Sequence, residues 1–280
     1  MGKAFRTDIA SEALSLHGDF YSAPGLSCRQ ENLLGFELCH VSITNKAAAE
    51  RIGKPIGEYF TLDIADTDRR SENFPNAVRA LSDIICRCIS AQPGSCLIAA
   101  LGNPDITPDA IGPLSAESIL VTRHLKENGE PLFSAFSPVA VCRTGVLGTS
   151  GFESALHIKT LCESLNPDFV IAVDALAGSE PSALCRCIQV SSSGIAPGSG
   201  VKNDRMALDS QSLGVPVIAV GMPTVIDASL FCGETPLSDM FVTPRGIDSM
   251  VRSAARIIGF GINAALHPGL SISDMEALLG

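Results

Sequence analysis

Two aspartates stand where the sequence gathers its potential for chemistry. Asp109 follows the apolar run CLIAAL, Cys96 to Leu101, through a loop that starts with Gly102 and Asn103; Asp174 closes the apolar part of DFVIAVDA, Asp168 to Ala175. A short, continuously apolar run without a charge suits a strand buried on both faces of a parallel sheet. In open α/β sheets, ligands bind beyond the carboxyl ends of such strands. Two carboxylates brought together there cannot both ionise cheaply. One keeps a proton and polarises a carbonyl, while its charged partner activates water, which is a chemistry for hydrolysing amides. Spacing alone does not make the two residues neighbours, and the plainer reading of each as a polar strand end or helix cap stays open.

Other nucleophiles have weaker support. No Gly-x-Ser-x-Gly elbow occurs, and the Gly-rich stretches Gly148-Thr149-Ser150-Gly151 and Gly198-Ser199-Gly200 fit neither that elbow nor a phosphate loop. His124 and His157 fall in expected helices and His267 ends one, so all three read as polar surface or interface side chains. Cys142 precedes GVLGTSG with no evident base beside it. Ten cysteines occur without a Cys-x-x-Cys pair; Cys86 and Cys88 diverge on a helix, and Cys185 and Cys187 share a strand face. They read as reduced thiols, with no metal or cofactor expected.

The chain has 280 residues, 46% of them hydrophobic, enough for one large α/β domain. A net charge of −10 without a basic patch excludes a nucleic-acid binder. Mean hydropathy is +0.28, yet charges interrupt every apolar run before it could span a membrane. The N-terminus has no apolar core of a signal peptide, so a cytoplasmic protein is expected.

The elements that must position the aspartates follow from periodicity. Residues 1–18 read as exposed and helical after Thr7, and Gly25 to Asn32 as loop. Strands are expected over Phe36–Ile43, Tyr59–Ile64, Cys96–Leu101, Val139–Val146, Asp168–Ala175, Arg186–Val190 and Pro216–Val220. Helices are expected over Asn45–Ile52, Asn73–Ala91, Ala116–Leu125, Glu153–Leu165 and Val242–Leu266, the last capped at Thr243-Pro244. The alternation implies a mainly parallel or mixed central sheet flanked by helices.

Several blocks, in order along nearly the whole chain, resemble the germination proteases of endospore-forming bacteria. They are LGNPDITPDAIGP, ESILVTRHL, PDFVIAVDALA, SSSGIAPGSGVKNDR, LGVPVIAVGMPTVIDA, VTPRGIDSMV and GINAALH. The resemblance implies an endopeptidase acting on small acid-soluble spore proteins in the forespore or spore core, usually as a homo-oligomer. Its fold is similar to that of the hydrogenase maturation endopeptidases, a metal-binding group, so a metal-dependent endopeptidase of that type is the second alternative and a non-catalytic binder of spore proteins the third. The family's essential aspartates carry over to Asp109 and Asp174, with Gly102 and Asn103 in the active-site loop; Asp105 receives no role. RTDIASE, from Arg6 to Glu12, is similar to the site the family cuts in its substrates and in its own zymogens. The resemblance thus implies autocleavage between Asp8 and Ile9, a propeptide of residues 1–8 and a peptidase domain of residues 9–280; a capped helix start is the plainer reading of the same residues. Between GMPTVIDASLF and MFVTP the chain is shorter than better-known members.

Overall fold

The most apolar runs of the sequence lie side by side at the centre of the molecule. The computed structural model describes residues 7–16, 24–65, 67–68, 70–89, 94–196, 206–232 and 240–279. Their order is α1 (Ala10–Leu16), β1 (Leu26–Leu33), β2 (Phe36–Ile43), α2 (Lys46–Ile52), β3 (Gly57–Asp63), α3 (Phe74–Cys88) and β4 (Cys96–Leu101). Then come α4 (Ile111–Ala116), α5 (Arg123–Glu127), β5 (Val139–Gly145), α6 (Leu147–Ser150), α7 (Ser154–Leu165), β6 (Phe169–Gly178) and β7 (Cys187–Ser191). The chain finishes with α8 (Ser210–Leu213), β8 (Val217–Asp227), α9 (Ser229–Cys232), β9 (Phe241–Val242), α10 (Ile247–Leu266) and α11 (Ile272–Leu279).

The described strands form one mixed sheet in the order β1-β2-β3-β7-β8-β6-β4-β5, with β9 on the far end of β8. Strands β5, β4, β6 and β8 are mutually parallel. The other half, β1, β2, β3 and β7, is antiparallel throughout, and β7 joins the halves by pairing antiparallel to β8. Every residue of β4 is buried, as a continuously apolar strand between two helical layers should be. On one face α3 and α10 cover it through Leu81, Ile84, Ile257 and Phe260. On the other, α7 and α8 seal a smaller cluster over Leu97, Ala99, Val170 and Ala172. Helices α1 and α2 close a third over β2 and β3, around Leu14, Val41, Ile43 and Tyr59.

Several expectations need correction. Residues 26–33 are strand β1, paired residue for residue with β2 around a hairpin turn at Leu34 and Gly35. LSCRQENL hides this because most of it is exposed on a sheet edge and shows no alternation. The helix expected over Ala116–Leu125 is two short helices, α4 and α5, with an irregular turn between them. There the buried side chain of Asn263 on α10 accepts from Leu120 N–H at 2.9 Å and donates to Ser118 C=O at 2.8 Å, replacing helical hydrogen bonds with tertiary ones. Strand β8 runs on through Met222 and Pro223 to Asp227. Phe241 and Val242 pair with it as β9, so α10 starts only at Ile247, after Gly246 and not at Thr243-Pro244. The N-terminal helix is real but not exposed: Thr7, Ile9, Ala10, Glu12, Ala13 and Leu14 are all buried. The expected ends of this segment and of α3, and part of SSSGIAPGSGVKNDR, lie outside the described residues.

Candidate functional site

Asp109 and Asp174 are delivered to the same edge of the sheet by adjacent strands. β4 and β6 are parallel and in register from Cys96 opposite Phe169 to Ala100 opposite Val173, which brings the end of β4 level with Asp174. There β4 stops, while β6 and β8 continue together for several residues. Gly102 makes the stop possible: its φ of +107° is one that L side chains rarely adopt, and a Cβ at this position would overlap the main-chain oxygen of Asp109. The loop folds back over Gly102 into a single 3-10 turn, Thr107–Asp109, before α4. Asn103 N–H donates to the Asp109 carboxylate at 2.8 Å and to its main-chain oxygen at 3.1 Å, which fixes the side chain against the strand end. The Asn103 side chain in turn accepts from Asp105 N–H at 3.0 Å, so Asp105 shapes the loop. Thr224 on β8 donates to Pro108 C=O at 2.6 Å and ties the turn to the neighbouring strand ends.

Asp174 is 5% exposed, and its carboxylate accepts from Ala175 N–H at 2.9 Å. Its neighbours Val173 and Ala175 pack towards α3 and α10. Strand alternation therefore turns Asp174, like Ala172 and Leu176, to the opposite face. In register with Asp174 across the sheet come Gly221 on β8 and then Gln189 on β7. Gly221 has no side chain, so the row presents a carboxylate and a carboxamide with only backbone between them.

The same face holds the N-terminal segment. Asp8 N–H donates to Ala177 C=O at 2.8 Å, and the Asp8 carboxylate accepts from Ala177 N–H at 2.9 Å. Gln189 spans the next peptide groups: its Nε2 donates to Asp8 C=O at 2.9 Å and its Oε1 accepts from Ala10 N–H at 2.7 Å. Ile9, between these contacts, is fully buried. Glu12 anchors the far side, accepting from Ser179 N–H at 2.6 Å, Ser179 Oγ at 2.9 Å and Thr7 Oγ1 at 2.5 Å. Thr7 Oγ1 also accepts from Ile9 N–H at 3.0 Å, so it stands between the helix start and its acidic third residue.

A cleft of 190 Å³ opens beside Asp8 and is lined by Lys54, Tyr59, Leu176, Gln189, Asp209 and Gly221. Lys54 is held at its mouth by α2, which Asn45 caps through Ala48 N–H and which Gly53 ends in a left-handed turn. The Lys54 ammonium donates to Thr7 C=O at 2.7 Å. Burial lowers its pKa from the usual lysine value, against the opposing pull of Asp8 and Glu12. Lys54, Ser179 and Gln189 escaped the sequence reading. The one signal that could have found them is Gln189 itself, a lone carboxamide inside the otherwise apolar CIQV.

The remaining candidates separate clearly. Cys142 does have a histidine beside it, with Sγ and His157 Nε2 3.9 Å apart, but burial raises the thiol pKa above its ordinary value and so disfavours a thiolate nucleophile. His267 is buried against Phe136, not on the surface, with ring centroids 5.0 Å apart. Cys185 lies in a turn before β7, so it shares no strand with Cys187. The nine described cysteines are free thiols, and among the described residues no group of three or more His, Cys, Asp or Glu side chains is arranged to hold a metal ion. No helix among the described residues is long and apolar enough to cross a membrane.

A family model described as "Germination protease" matches residues 17–236, a stretch that includes both aspartates and excludes the docked N-terminal segment. The chain is 35% identical to the germination protease of Caldanaerobacter subterraneus subsp. tengcongensis, over 98% of each chain. It is 32% identical to that of Clostridium perfringens, again over 98% of each. With the germination protease of Bacillus cereus the identity is 38%, over 83% of this chain and 66% of that one. On the extent of these matches, the chain belongs to the germination protease family of peptidases.

Proposed function

We propose that the protein is an endopeptidase that starts the degradation of small acid-soluble spore proteins during germination, cutting after an acidic residue. We further propose that it is made as a zymogen that removes residues 1–8 itself. The observation that carries this reading is the seat of the Asp8–Ile9 peptide: an acid-Ile-Ala-Ser-Glu sequence lies, hydrogen-bonded on both sides, across the face of the sheet that Asp174 shares. A bond held there is held as a substrate would be. Asp109 and Asp174 form the working pair of this mechanism. The ionised member takes a proton from water as it attacks the carbonyl and passes that proton to the leaving amine, while the protonated member donates to the carbonyl oxygen and takes the proton back as the tetrahedral intermediate collapses. The Asn103 N–H on Asp109 and the Ala175 N–H on Asp174 orient the two carboxylates. The place of action, on this reading, is the cytoplasm of the forespore.

The test is incubation with a peptide carrying an acid-Ile-Ala-Ser-Glu site, with and without a chelator, followed by mass spectrometry of the products. Cleavage before the Ile, insensitive to the chelator, is expected. Cleavage abolished by the chelator points to a metal-dependent peptidase, and binding without cleavage at any pH points to a binder. N-terminal sequencing across a falling pH series tests self-processing, since acid restores the single shared proton that two carboxylates of ordinary pKa, about 4, would both have lost at neutrality. A new N-terminus at Ile9, absent in Asp174→Asn, is the expected result.

A further inference from the structure

Two residues of the cleft have a geometry that catalysis by the aspartates does not use. Gln189 engages both peptide groups that flank Ile9, donating to Asp8 C=O at 2.9 Å and accepting from Ala10 N–H at 2.7 Å. A carboxamide is the one uncharged side chain that can donate and accept at once, so it fits a peptide backbone whatever its side chains. Lys54 approaches from α2 with its ammonium 2.7 Å from Thr7 C=O, facing the Asp8 and Glu12 carboxylates. The Asp8 carboxylate itself rests on Ala177 N–H at 2.9 Å. A half-buried cation that donates to the main chain one residue ahead of Asp8 sets a positive charge near the acid, which favours a carboxylate over its amide there.

We propose that Gln189 and Lys54 are the substrate-reading residues of this cleft: Gln189 clamps the carbonyl of the bond to be cut together with the peptide N–H that follows Ile9, and Lys54 selects the acidic residue ahead of it. The inference rests on the reading of Asp8–Ile9 as a substrate-like bond. It adds the residues that recognise that bond, which are other than the proposed working pair. Lys54 is anchored on Thr7 C=O and acts on the Asp8 carboxylate through its charge, and Gln189 acts on the main chain alone. Their effects are therefore separable, which a merely structural role for either residue would not produce.

The test uses the full-length chain cutting itself, followed by mass spectrometry at the pH of fastest processing. Each comparison is made within one background as a ratio of first-order rate constants, so the folded fraction cancels. Asp8→Asn is expected to slow the cut about 10- to 100-fold in the wild-type background, the worth of a charge-assisted contact. In Lys54→Met it slows the cut less than about threefold, and Lys54→Arg restores part of the preference. Ala10→Pro removes the N–H that Gln189 accepts, at the first position of α1 where proline is tolerated. It is expected to slow the cut about fivefold with Gln189 in place, and not further in Gln189→Leu. Equal effects of Asp8→Asn with and without Lys54 overturn the selecting role, and equal effects of Ala10→Pro with and without Gln189 overturn the clamp. A wild-type chain that never cuts at Asp8–Ile9 overturns the parent reading and this one with it, whereas a chain that cuts but shows no coupling overturns this one alone.

Discussion

The two halves of the sheet differ in what they can offer a ligand. The centre of the parallel half is buried, although its edge strand β5 exposes Arg143: β4 has no exposed residue, and β6 has one half-exposed residue, Ala175, within an otherwise buried strand. Such strands can present functional groups where a neighbour ends: Asp109 follows the end of β4, and Asp174 lies within β6 level with that end. The antiparallel half is covered by helix on one face only in part. Its edge strand β1 is largely exposed, and β7 and the turn before β3 supply Gln189 and Lys54 along the flank of the cleft. Buried strand ends suit a reaction that needs desolvated carboxylates, and half-covered flanks suit recognition of an incoming chain. Strand β8 joins the halves and places Gly221, without a side chain, between them.

The comparison breaks most sharply if the parallel half is not where the chemistry sits. On the proposed mechanism, in which the two act as a unit, Asp109→Asn and Asp174→Asn should each lower peptide cleavage by about 10²–10⁴-fold with the melting temperature little changed. Near-normal turnover in either variant removes that residue from the reaction. A baseline from the helical layer comes next. Burial first, then the Lys126 charge, push the His267 pKa down to about 4, and neither ring nitrogen has a hydrogen-bond partner among the described residues. The unfolded chain therefore binds the extra proton between the ordinary histidine value near 6.5 and about 4, so stability should fall through that window as pH falls, by about 3 kcal/mol in all. Denaturant titrations of His267→Phe at several pH values should lack this loss; a loss of the same size places the acid sensitivity elsewhere.

Gly102→Ala tests how the parallel half ends. Its positive φ and the collision with the Asp109 main chain should cost about 1–3 kcal/mol and displace Asp109, so activity should fall further than stability. Parallel falls in the two would make Gly102 a folding residue only. The smallest effect belongs to the recognition side. Glu12→Gln turns charge-assisted hydrogen bonds at Ser179 into neutral ones, which should weaken docking of the N-terminal segment by about 1 kcal/mol. Faster amide exchange at Ala10 and Ser179 is the readout, and unchanged exchange would mean that α1 packing alone holds the segment.

What was legible in the sequence follows the same division. The apolar runs of the parallel half gave β4 to the residue and the start of β6 to within one, because a strand buried on both faces leaves no choice of polarity at any position, whereas β6 runs three residues past its expected end. They also indicated which edge of the sheet carries Asp109 and Asp174. The antiparallel half was harder. LSCRQENL is an edge strand whose pairing is invisible without its partner, and the order in which β7 inserts between β3 and β8 is a long-range fact that no local window contains. The break between α4 and α5 depends on Asn263, more than a hundred residues further on. The N-terminal segment misled for a related reason: TDIASEAL reads as a capped surface helix, and only the receiving surface, Lys54, Ala177, Ser179 and Gln189, turns it inward.

That inward turn bears on reaction order. Ile9 is fully enclosed, and the peptide groups on either side of it are engaged by Gln189 while Ala177 holds the Asp8 N–H, so a second molecule reaches the Asp8–Ile9 bond only after the segment has lifted away. Lifting away also breaks the contacts that hold the bond in the cleft. Processing at this position should therefore be unimolecular, with a half-time that does not change when the protein is diluted tenfold. An added active enzyme should not hasten it, and a chain that carries Asp174→Asn should stay uncut in the presence of wild type until its N-terminus is released by partial unfolding.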